Sequence, residues 1–164
     1  EFVKLYKTIF AQKQIDQDKA ERLLRRMSRK QILKQSRLDL DKPFELEEVF
    51  QVMEALPRGK QAGPNRIPNE MYKTLPTVFA QAFTDLINET QRTGRLPKSF
   101  LEGDISMLYK KGDREDPRNY RPITLLNTDY KVFTRILSKR MVRVVHQFVS
   151  ESQKGFVPDV LISD

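Results

Sequence analysis

Cysteine is absent from the 164 residues, which excludes a disulfide scaffold, a thiolate metal site and a cysteine nucleophile and leaves the redox compartment open. Histidine occurs once, at His146, too few for a histidine metal cluster. No window approaches the roughly eighteen consecutive apolar residues of a membrane span. The opening Glu1-Phe2-Val3-Lys4 lacks the basic stretch leading into an apolar run that marks a secretory signal. An intracellular protein without a membrane partner is therefore expected, and the formal glycosylation acceptor Asn88-Glu89-Thr90 carries no weight. Acids are outnumbered, 22 against 30 Lys and Arg, a surplus of +8 that favours acidic partners. With 38% apolar residues, 10 Phe and 5 Tyr, the chain has material for one modest core. It opens without methionine and closes on Leu161-Ile162-Ser163-Asp164 with no Gly, Pro or polar tail, so a piece of a longer protein is expected.

Phe2, Leu5, Tyr6, Ile9 and Phe10 fall at helical spacing, and a second helix is predicted from Asp16 to about Lys34. Between Lys19 and Arg37 stand eight cations and one acid, Glu21, beside a narrow stripe of Ala20, Leu23, Leu24 and Met27. Such a basic amphipathic helix suits phosphates, an anionic membrane or a calmodulin-like groove, and equally a solvated face. Leu46, Val49, Phe50, Met53 and Leu56 predict a helix with Glu45, Glu47 and Glu48 at its positive end, stopped by Pro57. Arg58 to Pro68 reads as a loop carrying three cations and no acid; its glycines, Gly59 and Gly63, lack the spacing and the Lys-Ser/Thr of a phosphate-binding P-loop. Helical spacing resumes at Asn69, is interrupted at Pro76, and runs through Val78, Phe79, Ala82, Phe83, Leu86 and Ile87 to Thr93-Gly94.

Ile105, Met107 and Tyr109 alternate as in a half-buried strand, and Tyr120 to Leu125 predicts a returning one. The polar Lys111 to Asn119 between them reads as a mobile charged tip, and Asp113, Glu115 and Asp116 do not follow the EF-hand pattern. Pro122 restricts Arg121 to extended backbone at a sheet edge, which suits either a defined phosphate or plain solvation. After Asn127 or Thr128 as N-cap, a long helix is predicted to bury Val132, Phe133, Ile136, Leu137, Met141, Val144, Val145 and Phe148. Lys131, Arg135, Lys139 and Arg143 form a cationic stripe on its other side, which suits a nucleic-acid backbone or, the reading favoured, a solvated face.

Taken in order, Gly-Lys-Gln-Ala-Gly-Pro-Asn-Arg-Ile-Pro (59–68), Leu-Tyr-Lys-Lys-Gly-Asp (108–113), Asn-Tyr-Arg-Pro-Ile-Thr-Leu-Leu-Asn (119–127), Tyr-Lys-Val-Phe-Thr-Arg-Ile-Leu (130–137) and Gln-Lys-Gly-Phe-Val-Pro (153–158) resemble the non-LTR (LINE-type) retrotransposon reverse transcriptase. The resemblance covers about two thirds of the chain, from Leu46 onward, and implies residues 46–164 as the fingers subdomain of a right-hand polymerase with 1–45 as an N-terminal helical extension. The fold implied is α+β, mainly helical with a small antiparallel hairpin or sheet. In that family the hairpin folds over the incoming deoxynucleotide, so the match implies Lys110 and Arg121 on its triphosphate, with Lys111 beside them. It also implies template contacts at Lys60, Gly63, Asn65 and Arg66, and at Gln153, Gly155 and Phe156. The family commonly shows Lys-Ala-Pro-Gly-Pro-Asp-Gly where this chain has Lys60-Gln61-Ala62-Gly63-Pro64-Asn65-Arg66, replacing a turn glycine by arginine. Asp159-Val160 likewise stand where Gly-Arg usually follows.

The family's catalytic aspartates, holding two Mg2+ ions, lie beyond the point that Asp164 reaches. The expectation is a parent RNA-directed DNA polymerase, a nucleotidyltransferase acting on RNA template, DNA primer and dNTP together with its palm and thumb, and by resemblance nuclear. The fragment alone is expected to be inactive. The competing reading is a non-enzymatic, basic nucleic-acid-binding module, a domesticated remnant; a third takes the Lys19–Arg37 helix as a membrane or calmodulin-type element.

Overall fold

The structure, a computed structural model, describes residues 1–11, 15–26, 32–149 and 153. In chain order it builds α1 (Phe2–Ile9), α2 (Gln17–Arg26), α3 (Lys34–Leu40), α4 (Leu46–Glu54), α5 (Asn69–Thr74), α6 (Pro76–Thr93), β1 (Gly103–Tyr109), β2 (Tyr120–Leu126) and α7 (Thr128–Val142). Among the described residues β1 and β2 form one two-stranded antiparallel sheet, an α+β fold dominated by helix. Two compact units result, Glu1–Arg29 with Ile105–Thr124 and Lys30–Asp104 with Leu125–Asp164.

In the larger unit, α4 packs against α6 and α7. Val49, Val52 and Met53 of α4 are fully buried with Ile87, Val132 and Ile136, each such side chain contributing on the order of 1.5–3 kcal/mol. Phe100 sits at the centre of an aromatic cluster, its ring centroid 5.7 Å from both Tyr130 and Phe133 and 6.4 Å from Phe83. The helix boundaries have local causes. Glu47 and Glu48 lie in the first turn of α4, where the dipole favours anions. At its other end Lys73 Nζ donates to the carbonyl of Glu54, an orphan of the last turn, and to that of Leu56 just beyond it. Pro76, lacking an N–H, separates α5 from α6 and serves as a first helical residue. Gly94 closes α6 in a left-handed conformation at φ 68°, its N–H donating to Thr90 O at 2.9 Å.

Three helical expectations change. The second helix occupies Gln17–Arg26; residues 27–31, with Met27, lie outside the described residues, and Lys34 opens a separate α3. Leu23 and Leu24 of the apolar stripe are exposed. The last helix ends at Val142, and only part of its expected face is buried: Val132, Ile136 and Val144 point inward while Leu137 and Met141 are exposed. Positions 132, 136 and 140 share a face at helical spacing, and position 140 on it is an arginine.

Arg140 is buried because its surroundings replace water donor by donor. Nε and Nη2 hold Glu48 at 2.9 and 2.7 Å, Nη1 reaches the carbonyls of Leu40 and Lys42, and Nη2 also reaches Pro43 O at 2.9 Å. Every guanidinium N–H is used, and the cation stacks 4.1 Å from the Phe44 ring centroid. The pair fastens the stretch after α3 to α4 and α7. Replacing Arg140 with Ala strands a half-buried carboxylate and three carbonyls, so Arg140→Ala is expected to lose about 3–5 kcal/mol in urea denaturation, with Arg140→Lys recovering only a minor part because an ammonium cannot span the fork.

Candidate nucleotide-facing hairpin and Gly-Pro loop

Lys110 N–H donates to Asn119 O at 2.8 Å, which fixes the hairpin register: Tyr109 stands opposite Tyr120 and Leu108 opposite Arg121. Because side chains alternate, Lys110 and Arg121 share one face with Ser106, Leu108 and Ile123, and Tyr109, Tyr120, Met107 and Pro122 share the other. Burial follows this division. Lys110, Arg121, Leu108 and Ile123 are exposed, whereas the tyrosine face is half-buried. Ile105, expected to be half-buried with Met107 and Tyr109, is 65% exposed, since the packing on that face lies toward the tip end of the hairpin. Among the described residues the side chains of Lys110, Lys111 and Arg121 have no hydrogen-bond or ion-pair partner, so their charge is available to an incoming anion.

The hairpin tip is built by its own side chains. Tyr109 Oη donates to Gly112 O at 2.6 Å, Tyr120 Oη to Arg114 O at 2.9 Å, and Asn119 Nδ2 to Asp113 O at 2.9 Å. Asp113 and Asp116 accept backbone N–H groups of Glu115 and Arg118, both at 2.9 Å. The Arg118 guanidinium beside Asp116 holds that carboxyl below the usual aspartate range. A segment of almost wholly polar residues thus forms a pinned loop, because Asp and Asn satisfy the backbone locally.

The Gly-Pro loop is anchored from several sides within the larger unit. Gly63–Arg66 forms a turn closed by Arg66 N–H to Gly63 O at 2.9 Å, with Pro64 pre-setting it. Asn65 N–H donates to Asn127 Oδ1 at 3.0 Å, and Asn65 Oδ1 accepts from Ile67 N–H at 3.0 Å. Asn127, fully buried, spends its amide on Ser99 O at 2.9 Å. Thr128 Oγ1 donates to Asn69 Oδ1 at 2.9 Å, and Asn69 Nδ2 to Pro57 O at 2.7 Å. Gly63 is buried, and a Cβ there would stand 2.6 Å from Asn127 N. Glu70 Oε1 accepts the Gly59 N–H at 2.6 Å, and that amide is the main cause of its lowered carboxyl pKa, with Arg58 and Lys73 adding to it.

Arg66 adopts φ 60°, the one left-handed non-glycine among the described residues, at the position where the resembled family carries glycine. Its guanidinium is exposed and approaches Asp104 only at 3.8 Å. Lys60 is exposed, Gly63 and Asn65 shape the loop as described, and Gln153 is exposed. Gly155 and Phe156 lie outside the described residues. Sequence reasoning did not single out Asn127 or Thr128 as loop anchors, nor Asn69; buried amides and hydroxyls at helix caps leave no periodic signal. Among the described residues no cluster of three or more His, Asp or Glu could hold a metal ion, so this donor set does not fit a pair of Mg2+ ions. No helix in them is long and apolar enough to cross a membrane.

The larger unit thus carries an anchored basic loop and the smaller unit a hairpin with two cations on an exposed face, within an α+β segment. The chain is related to the proteins of non-LTR retrotransposons, among them RNA-directed DNA polymerases. It is 30% identical over 125 residues, 76% of its length, to the "Transposon TX1 uncharacterized 149 kDa protein" of Xenopus laevis. To the "Probable RNA-directed DNA polymerase from transposon X-element" of Drosophila melanogaster it is 35% identical over 117 residues, 70% of its length. The "RNA-directed DNA polymerase from mobile element jockey" of the same fly matches at 29% over 114 residues, 68% of the chain. The chain spans 10% to 13% of the length of these relatives. No family model matches it.

The loop geometry makes two stability measurements decisive. Gly63→Ala drives a methyl into backbone that cannot yield and is expected to lose about 2–3 kcal/mol. Arg66→Gly relieves a left-handed side chain and is expected to gain about 1 kcal/mol. Thermal melts of the two variants against the parent chain check both signs.

Proposed function

We propose that this chain is the fingers region, residues 46–164, and N-terminal extension, 1–45, of a reverse transcriptase from a non-LTR retrotransposon. The hairpin's open face receives the triphosphate of an incoming dNTP, and the Gly-Pro loop meets the template RNA and its DNA primer. The observation that carries the reading is the pairing on one exposed strand face of a lysine and an arginine whose side chains have no partner among the described residues. A compact ammonium and a forked guanidinium from adjacent strands are suited to a polyphosphate whose charge shifts as the nucleotidyl group is transferred. In this chain their part is electrostatic and positional: Arg121, held extended by Pro122, presents its fork along few directions, and Lys110 neutralises from the neighbouring strand. Metal chemistry supplied by Mg2+ would need carboxylates from the palm, outside this donor set. Lys60 and Arg66, with the loop's free N–H groups, supply sequence-independent contacts to a nucleic-acid backbone. The nucleus is the compartment this reading implies.

In the complete polymerase, Arg121→Ala is expected to lower kcat/KM for dNTP by roughly a hundredfold, the scale of a lost charge-assisted contact in a transition state. RNA-template affinity should stay within about twofold. Steady-state primer extension with filter binding of template reads both. Equal loss of nucleotide use and template binding, or an unchanged kcat/KM, would remove Arg121 from the nucleotide face. Salt-sensitive RNA binding by the chain that is indifferent to Lys110→Ala and Arg121→Ala, together with unchanged nucleotide use, would favour the plain binding module.

A further inference from the structure

The face of the hairpin opposite Lys110 and Arg121 is occupied by α1. Phe2, Tyr6 and Phe10 recur every fourth residue and make one aromatic stripe. Phe2 meets the Tyr120 ring edge-on, centroids 5.1 Å apart at 84°, and Tyr6 and Phe10 stack at 5.9 Å. Tyr120 in turn meets Tyr109 at 5.5 Å, over which the Arg114 guanidinium lies at 5.0 Å. Tyr6 Oη donates to Tyr120 O at 2.8 Å, across a sequence separation of 114 residues. All of these groups belong to one compact unit.

The bonded carbonyl has a particular place. Tyr109 and Tyr120 form a non-hydrogen-bonded pair of the ladder, so the polar backbone groups of Tyr120 point away from β1 and receive nothing from the sheet. Tyr6 supplies the missing donor. That carbonyl is half of the peptide unit joining Tyr120 to Arg121, so the bond holds the plane entering Arg121, while Pro122 restricts the backbone leaving it. The guanidinium is thereby presented from a backbone constrained on both sides. An exposed arginine with no side-chain partner otherwise loses rotational freedom only when it binds, and a fixed backbone reduces that loss.

We infer that α1 is a brace for the nucleotide face and that Tyr6 is a positioning residue for nucleotide use, acting through the Tyr120–Arg121 peptide and touching no substrate. The inference rests on the reading of Arg121 given above. Tyr6→Phe keeps the ring and removes only the hydroxyl, so the aromatic packing survives. In the complete polymerase Tyr6→Phe lowers kcat/KM for dNTP roughly three- to tenfold, the scale of one hydrogen bond, with template affinity within about twofold. In an Arg121→Ala background the same substitution adds nothing further, because the group it positions is gone. In the chain itself, Tyr6→Phe speeds amide exchange across Ile105–Thr124 while the amides of α4 keep their protection.

The outcomes separate the two readings. Arg121→Ala without effect on dNTP use overturns the nucleotide face itself. Arg121→Ala effective with Tyr6→Phe neutral overturns the brace alone. A Tyr6→Phe penalty of equal size in both backgrounds, or exchange that rises equally in α4, assigns Tyr6 to general stability and also overturns the inference.

Discussion

Asn127 and Gly63 approach more closely than any side chain at residue 63 would permit. Asn127 stands where β2 has just ended and α7 begins, and from there one amide side chain accepts from the Gly-Pro loop and donates to Ser99 ahead of the hairpin. Three segments far apart in the chain therefore meet on a single buried residue. A buried amide with both ends satisfied stabilises modestly, whereas one left unsatisfied costs about 1–3 kcal/mol, so the arrangement acts mainly by excluding alternatives. The loop cannot shift without orphaning Asn127, and Asn127 cannot turn without releasing Ser99. Thr128 and Asn69 repeat the logic one residue on, tying the start of α7 to the start of α5.

This anchoring allows the loop to be basic and shaped at once. Its cations point outward while Gly63, Asn65 and Ile67 face the protein, so the charge does not have to be neutralised within the chain. Arg66 makes the same division at the level of one residue: the backbone is held in a conformation natural to glycine, and the side chain extends into solvent. The hairpin separates its roles by face, with aromatic and backbone contacts behind and cations with Leu108 and Ile123 in front. In both places the fold supplies the geometry with groups other than those that would meet a phosphate.

Much of this was legible in the amino-acid sequence, for identifiable reasons. Val49 and Met53 announce α4 by spacing, Gly94 and Pro76 mark boundaries through backbone chemistry, and alternation at Met107 and Tyr109 gives β1. The order of motifs pointed to the transposon relatives. Arg140 was not legible, because a cation at an inward position of an amphipathic helix reads as a break in the apolar face until its carbonyl and carboxylate partners are known. Asn127 was visible as an N-cap but its tertiary partners were not, since hydrogen bonds over such separations leave no local pattern. The hairpin tip misled through composition: polarity was read as looseness, although Asp113, Asp116 and Asn119 use that polarity on their own backbone.

The discontinuity of the smaller unit bears on how the protein is made. On a ribosome adding about 5–20 residues per second, α1 is finished some 114 residues before the strand whose carbonyl Tyr6 will hold. For several seconds Phe2 and Tyr6 have no hairpin to cover, while the residues that build the larger core are already emerging. The nascent chain must keep an aromatic stripe out of a growing hydrophobic interior that would accept it. Lys4 and Lys7 fall on the other side of the helix from that stripe, so burying α1 whole would bury two charges, and the helix is kept at a surface until its own hairpin is synthesised.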